Sequence, residues 1–572
     1  MPTDRAPTSA PAVAATTWAR LALALLGLNL ALTFHNQWPT PWVTTRHELS
    51  VELAALVLLL AVVSELRGVP TRRLVPWLAG AFVLLTLARY AEVTAPALFG
   101  RRINLFWDGR HFANLTAMLA ATVPVWLSAA VVVGALALLA ALYLLARLAI
   151  VALWDALARP RTRRSCAALG AVVVGGYLVG HLGAGTLGWY ALPLSRTYAE
   201  QLAFVHDAIT GADARADLDR VPLGIADLSA LGGADVLVVF VESYGATAFD
   251  DPRHVPDREA GQAALARAVD ARDLLAVSAF VDSPTFGGAS WLAHSTFLTG
   301  MEIADNASHA LLLTRRRDTL VQRFQAQGYR AVAVMPGLKA AWPEGGFYGF
   351  DRIYGERDLD YRGPDFGWWR IPDQFTLARL AATELGAGER APVLAFFPTV
   401  STHAPFRPVP PYQPDWSRLL GPQPFDVASV RASLEAAPPW ADPSPAYAEA
   451  VRYALTTLAG FVERHAFTRD GRPLLLVVLG DHQPPASVTG PGVSHEVPVH
   501  VITSHRGLAA RLVAAGFAAG LAPTGRATTR MGELTELLLA AMANAGPDGG
   551  GVDHPERGHR SSASERAGPS AR

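Results

Sequence analysis

The stretch DVLVVFVESYG, residues 235–245, runs unbroken through six apolar side chains, reaches Glu242 and turns at Gly245. A short continuous apolar run closed by a glycine reads as a strand buried on both faces, the kind a mainly parallel sheet contains. Working outward, RAVAVM (330–335), PVLAFF (392–397), PLLLVVL (473–479) and VPVHVI (497–502) repeat the pattern. Segments of helical period lie between them, among them TLVQRFQAQG (319–328) and AYAEAVRYALTTLAGFVERHA (446–466). That alternation predicts an α/β domain over 233–545. Its last helix, MGELTELLLAAMANAG (531–546), gives way to a Gly-, Ser-, Pro- and charge-rich tail, 546–572, expected to be disordered.

Ligands of open α/β sheets gather at the carboxyl ends of the strands. Glu242 ends the first strand, and in LLLVVLGDHQPP (474–485) Asp481 and His482 directly follow strand and glycine. A carboxylate at a strand end is often only a loop residue, and an Asp-His pair in a loop is commonplace. Together on one domain they make a set of two anionic oxygens and one imidazole nitrogen. Such a set suits Mn²⁺ or Zn²⁺ with a position left open, and Mg²⁺ less well because imidazole favours softer ions.

Between the two strands lies GGASWLAHSTFLTGM (287–301), a glycine-rich approach to a serine that opens a helical segment. A hydroxyl placed there faces the positive end of a helix dipole, where a phosphate or sulfate charge is stabilised. Glycines before a helix that starts with Ser are also an ordinary cap. With Glu242, Asp481 and His482 in the same domain, Ser290 reads instead as the nucleophile and as the fourth metal ligand. Metal coordination lowers the pKa of such a hydroxyl and draws charge off phosphoryl oxygens. His403, in PTVSTHAPF (398–406), and His495, in GVSHEVPV (492–499), fall in loops at sheet ends and suit proton transfer to a leaving alcohol. His294, one turn after Ser290, is expected to face the same space.

The N-terminal third has a different solvent. Of 572 residues 51% are hydrophobic and only 17% charged, which points to a membrane part. Residues 1–16 read as a disordered tail. Apolar runs at 18–34, 49–66, 74–93, 121–148 and 166–192 each have the ~20 residues a bilayer crossing needs. They define a five-helix transmembrane domain over 17–192, with a juxtamembrane linker over 193–232. HNQWPTPW (35–42) suits a membrane interface and no cleavage site follows the first run, which makes it an uncleaved anchor. Arg67, Arg72 and Arg73 in one loop and Arg159, Arg161, Arg163 and Arg164 in another mark the cytoplasmic side. The loop with Arg101, Arg102 and Arg110 runs against this, but its Phe99, Leu105, Phe106 and Trp107 suit the interface. An inside N-terminus then puts everything after 192 outside. Arg89 and Glu92, three apart in the third span, read as a functional pair or, preferably, as an internal ion pair near the membrane surface.

Positive and negative side chains balance at 49 each, so nothing argues for nucleic acid, and Lys339 is the only lysine. Cys166 is the only cysteine, which excludes an intramolecular disulfide.

With Glu242, Ser290, STHAPF and GDHQPP in view, residues 234–503 resemble the sulfatase and alkaline phosphatase superfamily. The likeness is greatest to the membrane branch with lipoteichoic acid synthases and phosphoglycerol or phosphoethanolamine transferases. The resemblance implies five transmembrane helices followed by an extracytoplasmic alkaline-phosphatase-like α/β/α sandwich. It implies Glu242, Asp481 and His482 as metal ligands, Ser290 as nucleophile where the branch usually has threonine, and His403 and His495 on the substrate headgroup. YGFDRIYGERDLDYRGPDFGWWRIPDQ (348–374) is similar to the branch's pocket region, which assigns Trp368, Trp369 and Arg370 to substrate. The expected activity moves a phosphoglycerol or phosphoethanolamine headgroup from a phospholipid to a glycan or lipid acceptor outside the cytoplasmic membrane, through a phosphoserine. SWLAH lacks the proline and arginine of the C/S-x-P-x-R sulfatase context, and a single cysteine departs from the disulfide-rich lipid A transferases. A phosphatase, phosphodiesterase or sulfuric ester hydrolase, and a silent headgroup-binding module, remain the competing readings.

Overall fold

A computed structural model gives the fold; it describes residues 10–37, 40–99, 103–104, 108–109, 112, 116–117, 124–184, 186–210, 223, 227–315, 317–340, 342–386, 389–436, 442–466 and 471–543. The expected C-terminal tail, 546–572, most of the linker between 211 and 226, and Arg101, Arg102, Leu105, Phe106, Trp107 and Arg110 of the third loop lie outside those residues.

Among the described residues five long helices occupy the predicted membrane region: α1 (Ala10–Thr33), α2 (Val51–Arg67), α3 (Val75–Phe99), α4 (Val125–Leu157) and α5 (Pro160–Val179). Helix α1 opens inside the segment read as a tail, of which residues 1–9 lie outside the description. Among the described residues four stretches, Thr16–Thr33, Arg72–Leu98, Val125–Leu157 and Pro160–Leu182, are long and apolar enough to cross a membrane. Helix α2, with 17 residues that include Glu52, Glu65 and Arg67, falls short of that by itself. It lies along α5, where Gly170 allows close approach: a Cβ there would meet Leu58 Cβ at 2.8 Å. Cys166 is buried in this bundle as a free thiol.

The two arginine-rich loops come together at one end, where Arg163 Nε pairs with Glu65 at 2.5 Å, Arg72 pairs with Asp155, and Trp154 Nε1 donates to Pro70 O at 2.8 Å. At the other end Leu49 bridges Tyr190, and the chain continues into the amphipathic helix α6 (Leu194–Thr210).

Beyond the bundle an eight-stranded sheet forms from β1 (Asp235–Val241), β2 (Leu275–Asp282), β3 (Arg330–Val334), β4 (Arg352–Tyr354), β5 (Val393–Pro398), β6 (Leu474–Gly480), β7 (Glu496–Thr503) and β8 (Ala518–Ala519). Their order across the sheet is β8-β2-β7-β6-β1-β5-β3-β4. The block from β6 to β4 is parallel, and β7, β2 and β8 run antiparallel at one side. Successive side chains of β1 feed two cores, Leu237, Val239 and Val241 on one face and Val236, Val238 and Phe240 on the other. Helices α7 (Val255–Ala271), α9 (Asp373–Glu384) and α10 (Ser444–His465) cover the first face; α8 (Ser290–Thr299) and α11 (Met531–Met542) cover the second. The domain is thus the expected α/β/α sandwich, a sheet with helices on both faces. The five expected strands are present, and β2, β4 and β8 are additions to them.

Candidate active site

Glu242 follows β1, Asp481 and His482 follow β6, and these two strands are hydrogen-bonded neighbours in parallel register, so the three side chains emerge together at one edge. Two glycines allow the loops to close on one another. A Cβ on Gly480 would lie 1.9 Å from Tyr244 O, and one on Gly245 the same distance from Gln483 Oε1, so any larger residue forces the loops apart. Asp481 Oδ1 accepts from the backbone N–H of Ser243 and of His482, each at 2.7 Å. Thr399, at the end of neighbouring β5, accepts from Glu242 N at 3.0 Å.

Ser290 opens α8 after a left-handed run in which Gly287, Gly288 and Ala289 have φ of 63°, 142° and 65°. Its Oγ donates to Glu242 Oε2 at 2.9 Å and lies 3.2 Å from His482 Nε2. The other ring nitrogen, Nδ1, donates to Gln483 O at 2.7 Å, which leaves Nε2 with a lone pair. That lone pair faces Glu242 Oε1 at 3.3 Å and Asp481 Oδ2 at 3.5 Å. Asp481 Oδ2 is buried and has no hydrogen-bond partner.

Three acceptors converge here, and the side-chain hydroxyl that reaches the Glu242 Oε1 corner, Ser243 Oγ at 3.3 Å, leaves Asp481 Oδ2 without a hydrogen-bond donor, which calls for a cation. The ligand atoms of Glu242, Asp481 and His482 all lie within 4.8 Å of one another, and two carboxylate oxygens with one imidazole nitrogen form a normal donor set for a divalent ion. The electrostatics agree. Burial pushes the Asp481 carboxyl up, and the Glu242 charge pushes it further. Glu242, against its own burial, is held well below the usual carboxylate range by the His482 ring. His482, against burial, is raised by Asp481 and Glu242. Without a metal these groups share a proton that an ion would displace.

His403 lies in the loop after β5, near enough to Glu242 to act on its charge, with its ring edge-on to Trp369 at 4.9 Å. His294 forms the floor: its ring sits against Phe240 at 4.7 Å and Phe396 at 5.3 Å, and burial pushes its pKa down to about 4, so it is a neutral ring. Arg370 is engaged by Asp365 at 2.5 Å and Glu356 at 3.4 Å. Trp368 and Trp369 stand edge to face at 6.2 Å. His495 is exposed, packs on Phe286 at 5.4 Å and acts on Asp282; among the described contacts none joins it to Ser290 or Glu242. Sequence reasoning passed over Asp373, at the start of α9, whose carboxylate accepts from Val400 N at 2.8 Å and Ser401 N at 3.0 Å and so fixes the loop that carries His403. An aspartate opening a helix directly after the Trp-Trp-Arg run was the available signal.

Residues 235–511 match the family model described as Sulfatase. Members of the superfamily with that model use a divalent metal. No curated protein sequence matches the chain. Among solved structures, the chain is similar to the lipoteichoic acid synthase LtaP from Listeria monocytogenes at 14% identity, over 47% of this chain and 65% of that one, with a TM-score of 0.31. It is similar to the phosphoglycerol transferase GacH from Streptococcus pyogenes, solved with sn-glycerol-1-phosphate, at 11% identity over 50% of this chain and 77% of that one, TM-score 0.31. The lipooligosaccharide phosphoethanolamine transferase A (EptA) from Neisseria meningitidis aligns over 85% of this chain and 88% of its own at 13% identity, TM-score 0.40. The chain spans just under two thirds of the length of the Listeria protein.

Proposed function

We propose that this protein is an integral-membrane, metal-dependent transferase that moves a phosphoglycerol or phosphoethanolamine headgroup from a phospholipid to a glycan or lipid acceptor. The observation that carries this reading is the Ser290 hydroxyl at the start of α8, which donates to Glu242 and lies 3.2 Å from His482 Nε2, beside an Asp481 oxygen that has no hydrogen-bond partner. The domain assignments that go with it are a transmembrane domain over 17–192, a linker over 193–232 and a catalytic domain over 233–545. The catalytic domain would lie outside the cytoplasmic membrane, since it follows the end of the bundle opposite the paired arginine loops. A membrane donor agrees with the short helix Ala486–Thr489, just after the Asp-His pair, packing on α3.

Glu242, Asp481 and His482 would hold the ion, Mn²⁺ or Zn²⁺, with Ser290 at its open position. When bound, such an ion supplies positive charge that lowers a hydroxyl pKa and offsets charge on phosphoryl oxygens. The chain's own groups do the rest. Ser290 Oγ forms a bond to phosphorus while its proton passes toward Glu242 Oε2, and the helix dipole stabilises the charge on the non-bridging oxygens. The bond from phosphorus to the diacylglycerol oxygen breaks, and that oxygen takes a proton from His403 or His495. In the second half the acceptor hydroxyl gives its proton to the same imidazole as its oxygen bonds to phosphorus, and Ser290 leaves with its own proton restored.

Incubation with labelled phosphatidylglycerol or phosphatidylethanolamine and no acceptor tests the reading. A headgroup-phosphate adduct on Ser290, seen by mass spectrometry with release of diacylglycerol, is expected. An adduct on Ser295 or Thr296, or turnover with none, removes Ser290 from its role. Free headgroup phosphate with no modified acceptor marks a hydrolase, and no turnover of either lipid marks a binding module.

A further inference from the structure

The chain uses arginine for every basic position except one, Lys339. Its Nζ lies 3.3 Å from the centroid of the Trp368 ring and 5.8 Å from that of Trp369, and it donates to Trp368 O at 2.6 Å. An ammonium placed over an indole face is a cation–π arrangement. The pair sits at the candidate site. Trp369 carries the contact onward to His403, which acts on Glu242. Gly337, two residues before Lys339, lets the Lys339 loop close on the same wall, since a Cβ there would meet Trp369 Cζ3 at 2.9 Å. Trp369 Nε1 is buried without a hydrogen-bond partner, a donor open to a ligand oxygen. The nearby carboxylates of Asp365 and Glu356 are already bound by Arg370.

We propose that Lys339 is a headgroup-selecting residue: its ammonium holds the Trp368 face that a cationic headgroup would otherwise take, and repels a second ammonium, so the site favours an uncharged polyol headgroup over ethanolammonium. This rests on the reading of the site as a phospholipid headgroup site. It narrows the donor to the phosphoglycerol class. Primary ammonium headgroups lose the aromatic contact and meet a like charge on the Trp368–Trp369 wall that reaches His403.

The test uses the full-length protein in lipid nanodiscs, wild type beside Lys339→Met and Lys339→Arg. Methionine keeps the apolar stem over Trp368 and removes the charge. Two readouts are taken: the ratio of kcat/KM for phosphatidylglycerol over phosphatidylethanolamine, and the ratio of dissociation constants for glycerol phosphate and phosphoethanolamine from tryptophan fluorescence. Wild type should prefer the glycerol headgroup, and Lys339→Met should move the ratio toward the ethanolamine headgroup by about tenfold, as one lost charge contact warrants. Lys339→Arg should keep most of the preference. A ratio unmoved in Lys339→Met, or a wild type that prefers ethanolamine, overturns the proposal. A shifted binding ratio without turnover upholds it and removes the transferase reading instead; binding of neither headgroup overturns both.

Discussion

Arg89, among the membrane helices, is 1% exposed, and Asp481, at the carboxyl edge of the sheet, is 0% exposed. Two of the guanidinium nitrogens have acceptors, Nε donating to Phe34 O at 2.9 Å and Nη1 to Glu92 Oε2 at 3.1 Å, and Nη2 lies 3.4 Å from His35 Nε2. The second oxygen of Glu92 accepts from Thr197 at 2.8 Å, which ties α6 to α3, and His35 meets Glu48 at 2.7 Å. Asp481 has one oxygen fully used and one with no hydrogen-bond partner. Burial alone therefore does not separate structure from function. A paired charge joins elements, whereas convergent unpaired acceptors on backbone held this firmly imply a ligand.

The comparison breaks first at Asp481. Asp481→Ala is expected to abolish bound metal and activity together, read by elemental analysis of the purified protein beside a turnover assay. A variant with full metal content takes Asp481 out of the ligand set and leaves its orphaned oxygen without a purpose.

Ser290→Ala comes next, with a loss of several orders of magnitude in rate while metal content is retained through Glu242, Asp481 and His482. Loss of the metal along with the rate would make the hydroxyl a structural ligand. His403→Ala is expected to be milder, roughly 10²- to 10⁴-fold in kcat, as for one general acid or base. An equal loss in His495→Ala would give the exposed ring the proton-carrying role, and no loss there leaves it to His403.

Much of this was legible because buried parallel strands are continuous apolar runs, and Glu242, Asp481 and His482 each stand directly after one. The strand LAVSAFVD (275–282), second from one edge, was not, because Ala276, Ser278 and Ala279 thin its apolar signal and it pairs antiparallel beside a mainly parallel block. Helix α2 shows a similar limit: hydropathy found the run, but Glu52, Glu65 and Arg67 shorten what is apolar, and Gly170 of a distant helix is what seats it. The Arg89 and Glu92 pair could be read as internal from its spacing, but its partners Phe34, His35 and Thr197 lie far away in sequence. The pairing of Asp373 with the His403 loop is likewise tertiary, and no local pattern encodes it.

At the membrane cluster the expectation reverses. Arg89→Met leaves the half-buried Glu92 without its cation, which costs at most about 3 kcal/mol, the lower end for breaking a fully buried pair. The change should appear as a lower unfolding midpoint in detergent, with metal content unchanged. A loss of turnover at an unchanged midpoint would move Arg89 from structure to function.

The smallest effect belongs to a third kind of buried group. His500, on β7, is 1% exposed, and its burial pushes the ring pKa down to about 3. Both nitrogens have neutral partners: Nδ1 lies 2.7 Å from Ser278 Oγ, which itself donates to Gly520 O at 2.7 Å, and Nε2 lies 3.2 Å from the Tyr244 hydroxyl. The serine hydrogen is committed to Gly520, so Nδ1 donates and Nε2 accepts, and a neutral ring satisfies every contact. Protonation would put a donor against each partner and a charge in the sheet. The unfolded chain binds that proton at a pKa of about 6.5. Because the folded pKa is depressed, the unfolded state carries more protons below that value, and stability is lost as pH falls from about 6.5 toward 3. His500→Gln, which offers a donor and an acceptor but no titration, should flatten the dependence of the melting temperature on pH over that window. An unchanged slope would place the acid sensitivity elsewhere, in groups such as His294 under the active site, and would then tie acid stability to the very edge of the sheet where charge is left unpaired.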